Sequence, residues 1–174
     1  MTVTTGNYLK GFYDETQALG AKAVNSDFAL VIEGYEDSAN WLLCKQAPWP
    51  VVAPQGEIEI SGPLGMNMYQ AQQVKTGQQG QVTFYETISG AMEKAIMEMY
   101  STDTPFNCYV YEGTPDHWFR RKLLRGCFLQ IDPVDRDFEN RSQAMTVQGT
   151  LFFHYFGGDD FEENSGVEHY DPNM

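Results

Sequence analysis

The segment SQAMTVQGTLFFHYFG, Ser142 to Gly157, constrains this chain more than any other. Met145, Val147, Leu151, Phe153 and Tyr155 fall at alternate positions, with Gly149 among them, which is the period of a β-strand that lays one face on a core. The other face begins polar, with Thr146, Gln148 and Thr150, and ends with Phe152, His154 and Phe156. A sheet wetted on one side explains only the polar half. The aromatic half calls for a second cover: a helix, an arm or another chain.

The rest of the sequence supplies partners for such a strand. DFALVIEGYE and GEIEISG alternate, and NCYVYEG and HWFRRKLLRGCFLQID read as further strands, with Gly126 marking a bulge or bend in the last. NMYQAQQVKTGQQGQVTFYE reads as two polar-alternating strands joined by a turn at TGQQG. DSANWLLCK fits a strand or a short helix equally. QAPWPVVAPQG, with Pro48, Pro50 and Pro54, is extended loop or edge. One helix is expected near residues 87–100, on the stripe Ile88, Met92, Ile96 and Met99, with Thr87 or Ser89 as its cap. With no βαβ alternation, the fold class is mainly β: an antiparallel β-barrel or sandwich with one flanking α-helix. Residues 1–27 form an N-terminal arm with at most one short helical turn, 28–157 the β-barrel domain, and 158–174 an acidic C-terminal arm with Phe161 and Tyr170 as candidate anchors.

Chemistry-bearing patterns are scarce. His117, His154 and His169 lack the short spacing of a zinc site, and the acidic clusters DPVDRD and DDFEE fall in loop or tail, where solvation accounts for them. No nucleophile elbow, phosphate loop or dinucleotide fingerprint occurs. No catalytic residue, cofactor or metal is therefore expected, and the chain reads as no enzyme. Cys44, Cys108 and Cys127 form no Cys-x-x-Cys pair and read as reduced, mostly buried thiols, with a disulfide across a subunit contact left open. The apolar runs are too short to cross a bilayer, and the N-terminal residues do not form a basic-then-apolar leader, so no membrane anchor is expected.

Charge narrows the partners. At −13 the chain would be repelled by free nucleic acid. Against that field stands RRKLLR, whose Arg120, Arg121, Lys122 and Arg125 are four of the eleven positive charges. Their plainest role is a basic strand face that meets acidic neighbours.

The succession of hairpin strands, VTFYETISGAMEKAIMEMYSTDTPFNCYVYEG, KLLRGCFLQIDPVDRDFEN and a terminal TVQGTLFFHYF resembles the tail-tube proteins of contractile-tailed bacteriophages over residues 56–157. The motifs that carry the resemblance are the L-x-G-C-F strand, the polar connection after it and the final F-H-Y-F. The resemblance implies a tail-tube-like β-barrel whose hexameric rings stack into a tube inside a contractile sheath. The implied partners are further copies of itself, sheath, baseplate and tail-terminator proteins, and genomic DNA that passes through the lumen without specific binding. It implies a location in the virion after assembly in the host cytoplasm. Within that picture Arg120, Arg121, Lys122, Arg125, Phe152, Phe156 and Phe161 are expected between subunits, and Gln70, Gln72, Gln79, Gln81 and Thr83 toward the channel. An acidic lining, or a neutral glutamine one, would let a duplex slide. Rival readings are a baseplate tube initiator that forms a single ring, the related tube of a bacteriocin or secretion machine, and a monomeric ligand-binding β-barrel that uses the aromatic strand as a pocket wall.

Overall fold

A computed structural model describes residues 6–35, 39–102, 105–158 and 160–161. The chain divides into two units at Asp27/Phe28. The first contains α1 (Gly6–Ala18), a 13-residue helix with no buried residue. The sequence had promised one turn at most. Tyr8, Leu9, Phe12 and Tyr13 share a side of it at helical spacing, and all four are exposed.

The second unit is built on antiparallel strands: β1 (Phe28–Ile32), β2 (Cys44–Gln46), β3 (Glu57–Ser61), β4 (Asn67–Ala71), β5 (Gly77–Tyr85), β6 (Phe106–Gly113), β7 (Trp118–Ile131), β8 (Thr146–His154) and β9 (Asp160–Phe161). One sheet runs in the order β1-β6-β7-β8-β5-β2, with β9 beside β7. The strand β7 joins its two halves. Its first part pairs with β6, its last part pairs with β8, and the register slips between Arg125 and Phe128. Gly126 sits in that slip at φ 58, a conformation that favours glycine, and permits the bend. The sheet thus folds over its own apolar face. Leu30, Val82, Phe84, Val110, Leu124, Leu129, Leu151 and Phe153 meet in one core. Gly149 is required where β8 passes β7, because a Cβ there would run into the Gln130 carbonyl.

The helix α2 (Ala91–Ser101) closes the core with Met92, Ala95, Ile96 and Met99. It starts later than the sequence pattern indicated, and Ile88 stands outside it, fully exposed. The reason lies in the cap. The Glu86 carboxylate accepts hydrogen bonds from the backbone N–H groups of Thr87 (2.8 Å), Met92 (3.1 Å) and Glu93 (2.9 Å), and Thr87 Oγ1 accepts from Ala91 N–H at 3.1 Å. A negative charge on the first turn also complements the helix dipole. Those bonds require a turn over residues 87–90, and Gly90 takes the left-handed conformation (φ 71) that makes it.

DSANWLLCK resolves into both of its readings: a 3-10 turn over Ala39–Leu43, then β2. TGQQG is no turn. Gly77–Gly80 lie inside β5, and β4 pairs instead with β3, the GEIEISG strand. Backbone hydrogen bonds continue that pairing down to Lys75 N–H and the Ala53 carbonyl (3.0 Å), so residues 53–75 form one long hairpin arm. Its tip carries Leu64 at φ 58, fully exposed.

Candidate assembly surface

The two faces of β8 answer to different surroundings. Val147, Gly149, Leu151 and Phe153 are buried, as the alternation requires. On the reverse side Phe152 is half-buried and Gln148 and His154 are exposed. Phe152 stacks on Phe128 of β7, rings 4.7 Å apart and 8° from parallel, and Phe128 remains 54% exposed. Phe156, just beyond β8, is 66% exposed. The sequence-level demand for a second cover therefore stands unmet within the chain's described residues.

Cross-strand register extends this bare face over β5, β8 and the last part of β7. Gln79 lies opposite Phe152 and Phe152 opposite Phe128; in the next row Gln81 lies opposite Thr150 and Thr150 opposite Gln130. Thr83 belongs to the same face but is buried, its hydroxyl 3.5 Å from Gln46 Oε1. Gln70 and Gln72 do not belong to it. They lie on and beside β4 in the arm, where Gln72 Nε2 donates to the Glu57 carbonyl at 3.0 Å. The strands β2, β5 and β8 and the stretch 126–131 contain no Asp or Glu, in a chain with 24. An acidic lining would not come from this sheet. Its face is glutamine and threonine with an aromatic pair, edged by Arg125 and His154.

Among the described residues, the margins of this four-stranded stretch are open. Past Cys127, β6 no longer accompanies β7, so Phe128–Ile131 pair with β8 alone; β2 ends the sheet on the opposite side. Beside the β7 margin lies an apolar cleft of about 180 Å³ between α2 and β7, lined among others by Ile96, Met99, Tyr100, Pro105 and Phe106. Unpaired strand margins are templates for another strand.

The cations of β7 diverge. Lys122 is buried, its ammonium donating to the Pro50 carbonyl at 2.6 Å over the ring of Trp49. Arg120 reaches Glu112 Oε2 at 3.3 Å and Trp49, and Arg121 lies over Tyr109 and Trp118. Arg125 alone of the four is exposed. The sequence offered no signal for this split, because burial of Lys122 depends on how the proline segment crosses the end of the core. Phe161 falls in β9, whose backbone lies beside Arg120 and Arg121; its side chain and residues 162–174, including Tyr170, are outside the described residues.

The thiols are free. Burial raises Cys44 to about 12, against a smaller opposing pull from a backbone hydrogen bond at Gln46, and burial likewise lifts Cys108 well above the ordinary range. Both are poor nucleophiles. Among the described residues no group of three His, Cys, Asp or Glu side chains is arranged to hold a metal.

Neither family models nor curated protein sequences match this chain. Solved structures do. A chain of the anti-feeding prophage cap (the AFP tube-terminating cap) superposes with a TM-score of 0.55 at 10% identity, over 82% of this chain and 93% of that one. A chain of the PVC extracellular contractile injection system sheath–tube complex, in its extended state, gives 0.54 at 8% identity, over 85% and 96%. One from the PVC sheath/tube terminator gives 0.53 at 8% identity, over 82% and 97%. The fold is shared with components of contractile injection systems. It is a mainly β, tail-tube-like fold.

Proposed function

We propose that this chain is a structural subunit of a contractile tail: a tail-tube protein whose copies close into hexameric rings, with β2 of one copy joining the Phe128–Ile131 margin of the next. One observation carries the reading: a four-stranded sheet with both margins open and one face bare, in a protein whose core is otherwise closed. Joining the margins turns the bare face into the wall of a continuous barrel and satisfies strand edges that would otherwise invite aggregation. The hairpin arm extends the argument. Ile58, Ile60, Met66 and Met68 share one exposed face, and a lone two-stranded hairpin is marginal in water, so the arm fits a neighbouring copy.

The wall explains passage of genomic DNA without specific binding. Gln79, Gln81, Gln130, Gln148 and Thr150 offer no fixed charge, so phosphate is neither repelled strongly nor gripped by a dense cation array. Slip here arises from neutrality. Sheath, baseplate and terminator proteins are the remaining partners, and the virion tail is the location. The enclosing work is mechanical, and no catalytic role enters it.

Negative-stain electron microscopy of the purified protein tests this directly. Long hollow tubes are expected. Discrete single rings would reassign the chain to a cap, terminator or tube-initiating role, which the likeness to the tube-terminating cap supports as well. A dispersed monomer at high concentration would remove the tube reading.

A further inference from the structure

The two ends of the four-stranded sheet differ in chemistry. At one end, where β5 finishes and β8 begins, lie the segments 86–90 and 132–145, tied together by a hydrogen bond from Glu86 N–H to the Met145 carbonyl (3.0 Å). Two large apolar side chains stand fully exposed there, Ile88 and Phe138. Phe138 is presented by an ordered turn: Asp137 Oδ1 accepts from Glu139 N–H at 2.9 Å, and the Asp137 carbonyl accepts from Asn140 N–H at 3.3 Å. Around it the segment 132–145 carries Asp132, Asp135, Asp137 and Glu139 against Arg136 and Arg141.

At the other end, where β8 finishes and β5 begins, three segments meet. Tyr155 N–H donates to the Thr76 carbonyl (2.9 Å), Lys75 N–H to the Ala53 carbonyl (3.0 Å), and the Gln78 side chain to the Val51 carbonyl (3.1 Å). Val51, Val52, Val74 and Phe156 are all exposed here, between 47% and 66%. Residues 47–53, 72–76 and 154–158 contain no carboxylate; their cation is Lys75, and exposed Arg125 sits opposite His154 across the β7–β8 ladder.

Single exposed apolar residues need no explanation. A net acidic end with two bare anchors, opposite an end with a bare apolar patch and the exposed cations Lys75 and Arg125, does. We propose that these ends are mating surfaces for a second copy of this chain: Phe138 and Ile88 of one copy seat on the Val52, Val74 and Phe156 patch of the next, with the acidic turn facing Lys75 and Arg125. The contact is heterologous, so it repeats in one direction and assigns a polarity to the stack. It rests on the tube reading for its setting, and it adds which surfaces meet and which side chains hold them.

The test uses two full-length tagged proteins, one with Phe138→Cys and one with Val74→Cys, mixed, concentrated and mildly oxidised, with unsubstituted protein as control for the native thiols. A disulfide between the two different proteins, well above any formed by either alone, is expected. Absence of that adduct, or a Phe138→Cys self-adduct of equal yield, overturns the proposal. A second variant, Phe138→Asp with Ile88→Asp, should keep the thermal midpoint within a degree or two and leave rings unstacked, with tube length falling at least tenfold. Tubes of unchanged length, or loss of the rings themselves, overturn it as well. If the unsubstituted protein forms no rings, the tube reading fails separately, and the mixed adduct still decides whether these ends meet.

Discussion

The four-stranded sheet and the hairpin arm obey the same alternation and end in opposite conditions. In the sheet, every second residue of β8 and the last residues of β5 lie under a core that α2 closes: Val82, Phe84, Val147, Leu151 and Phe153 are all buried. In the arm, Ile60 pairs with Met68 and Ile58 with Gln70 in unbroken register across β3 and β4, yet Ile58, Ile60 and Met68 are each at least 40% exposed. Alternation specifies a strand with an apolar side. It does not say whose atoms cover that side. Where the chain supplies the cover, the strand stabilises the domain; where it does not, the apolar side stays in water and adds little to the domain's own stability.

The sharpest way to break this comparison is to delete one apolar side chain from each region. Leu124→Ala, in the core, should cost about 2–5 kcal/mol in chemical denaturation, because it leaves a cavity among atoms that cannot collapse. Ile60→Ala, in the arm, should stay within about 0.5 kcal/mol for the unassembled protein, since little apolar area is lost. Its effect should appear in assembly, as a raised concentration threshold for rings and tubes in light scattering. Equal losses from both substitutions would mean that the arm already packs on its own domain.

A second substitution probes how tightly the covered sheet is fitted. Gly149→Val places a branched side chain where even a Cβ meets the Gln130 carbonyl, and β7 and β8 would have to separate. A loss of about 1–3 kcal/mol is expected, with the midpoint of urea unfolding moving down and its slope unchanged. The matching change in the arm, Gly65→Ala, meets no neighbouring atom but sits at φ 76, so its cost is backbone strain alone.

The residues themselves explain what sequence reading could reach. The strands β1, β6, β7 and β8 were legible because period-two alternation is a local property, and so was the bend at Gly126. The margin of α2 was displaced because Ile88 continues the helical period, while the Glu86 carboxylate, five residues before Ala91, sets the true start. The hairpin arm was misassigned for a related reason: TGQQG has turn composition, but Gly77 and Gly80 serve β5, and β4 turns back on β3. Alternation put Phe152 and Phe156 off the core face; the structure leaves Phe152 half-buried against Phe128 and Phe156 exposed. Alternation did not distinguish the four cations of β7: Lys122 shares the side of Leu124, but its burial comes from the Trp49–Pro50 segment that covers it, which a one-dimensional pattern does not show. Gln70 and Gln72 read like Gln79 and Gln81 in one dimension, and only the strand pairing separates the arm from the four-stranded sheet.

The helix end gives a finer measure of the closed region. Glu86→Ala removes the acceptor for three backbone N–H groups, two of them in the first turn of α2. Loss of about 1 kcal/mol is expected, visible as an earlier thermal midpoint and faster amide exchange at Met92 and Glu93. Arm assembly should be untouched. If tube formation falls in step with this loss, the closed core and the open arm are coupled, and the distinction between them weakens.

The smallest effect appears only in alkali, and its sign follows from which state holds the proton. Folding raises the Cys44 thiol from 9.0 to about 12, chiefly by burial. Between those values the unfolded chain loses a proton that the folded chain keeps, so stability is complete below pH 9 and declines as pH rises toward 12. By pH 10 the loss from this group should be on the order of 1 kcal/mol. Denaturation midpoints measured at pH 7, 9 and 10 should therefore fall more steeply for the native chain than for Cys44→Ala, whose curve lacks the Cys44 contribution. Identical slopes would place Cys44 in water when the protein is folded. That would open the junction between the 3-10 turn and β2, the margin at which the proposed ring contact would form, and move that strand from the closed region of the molecule to the exposed one.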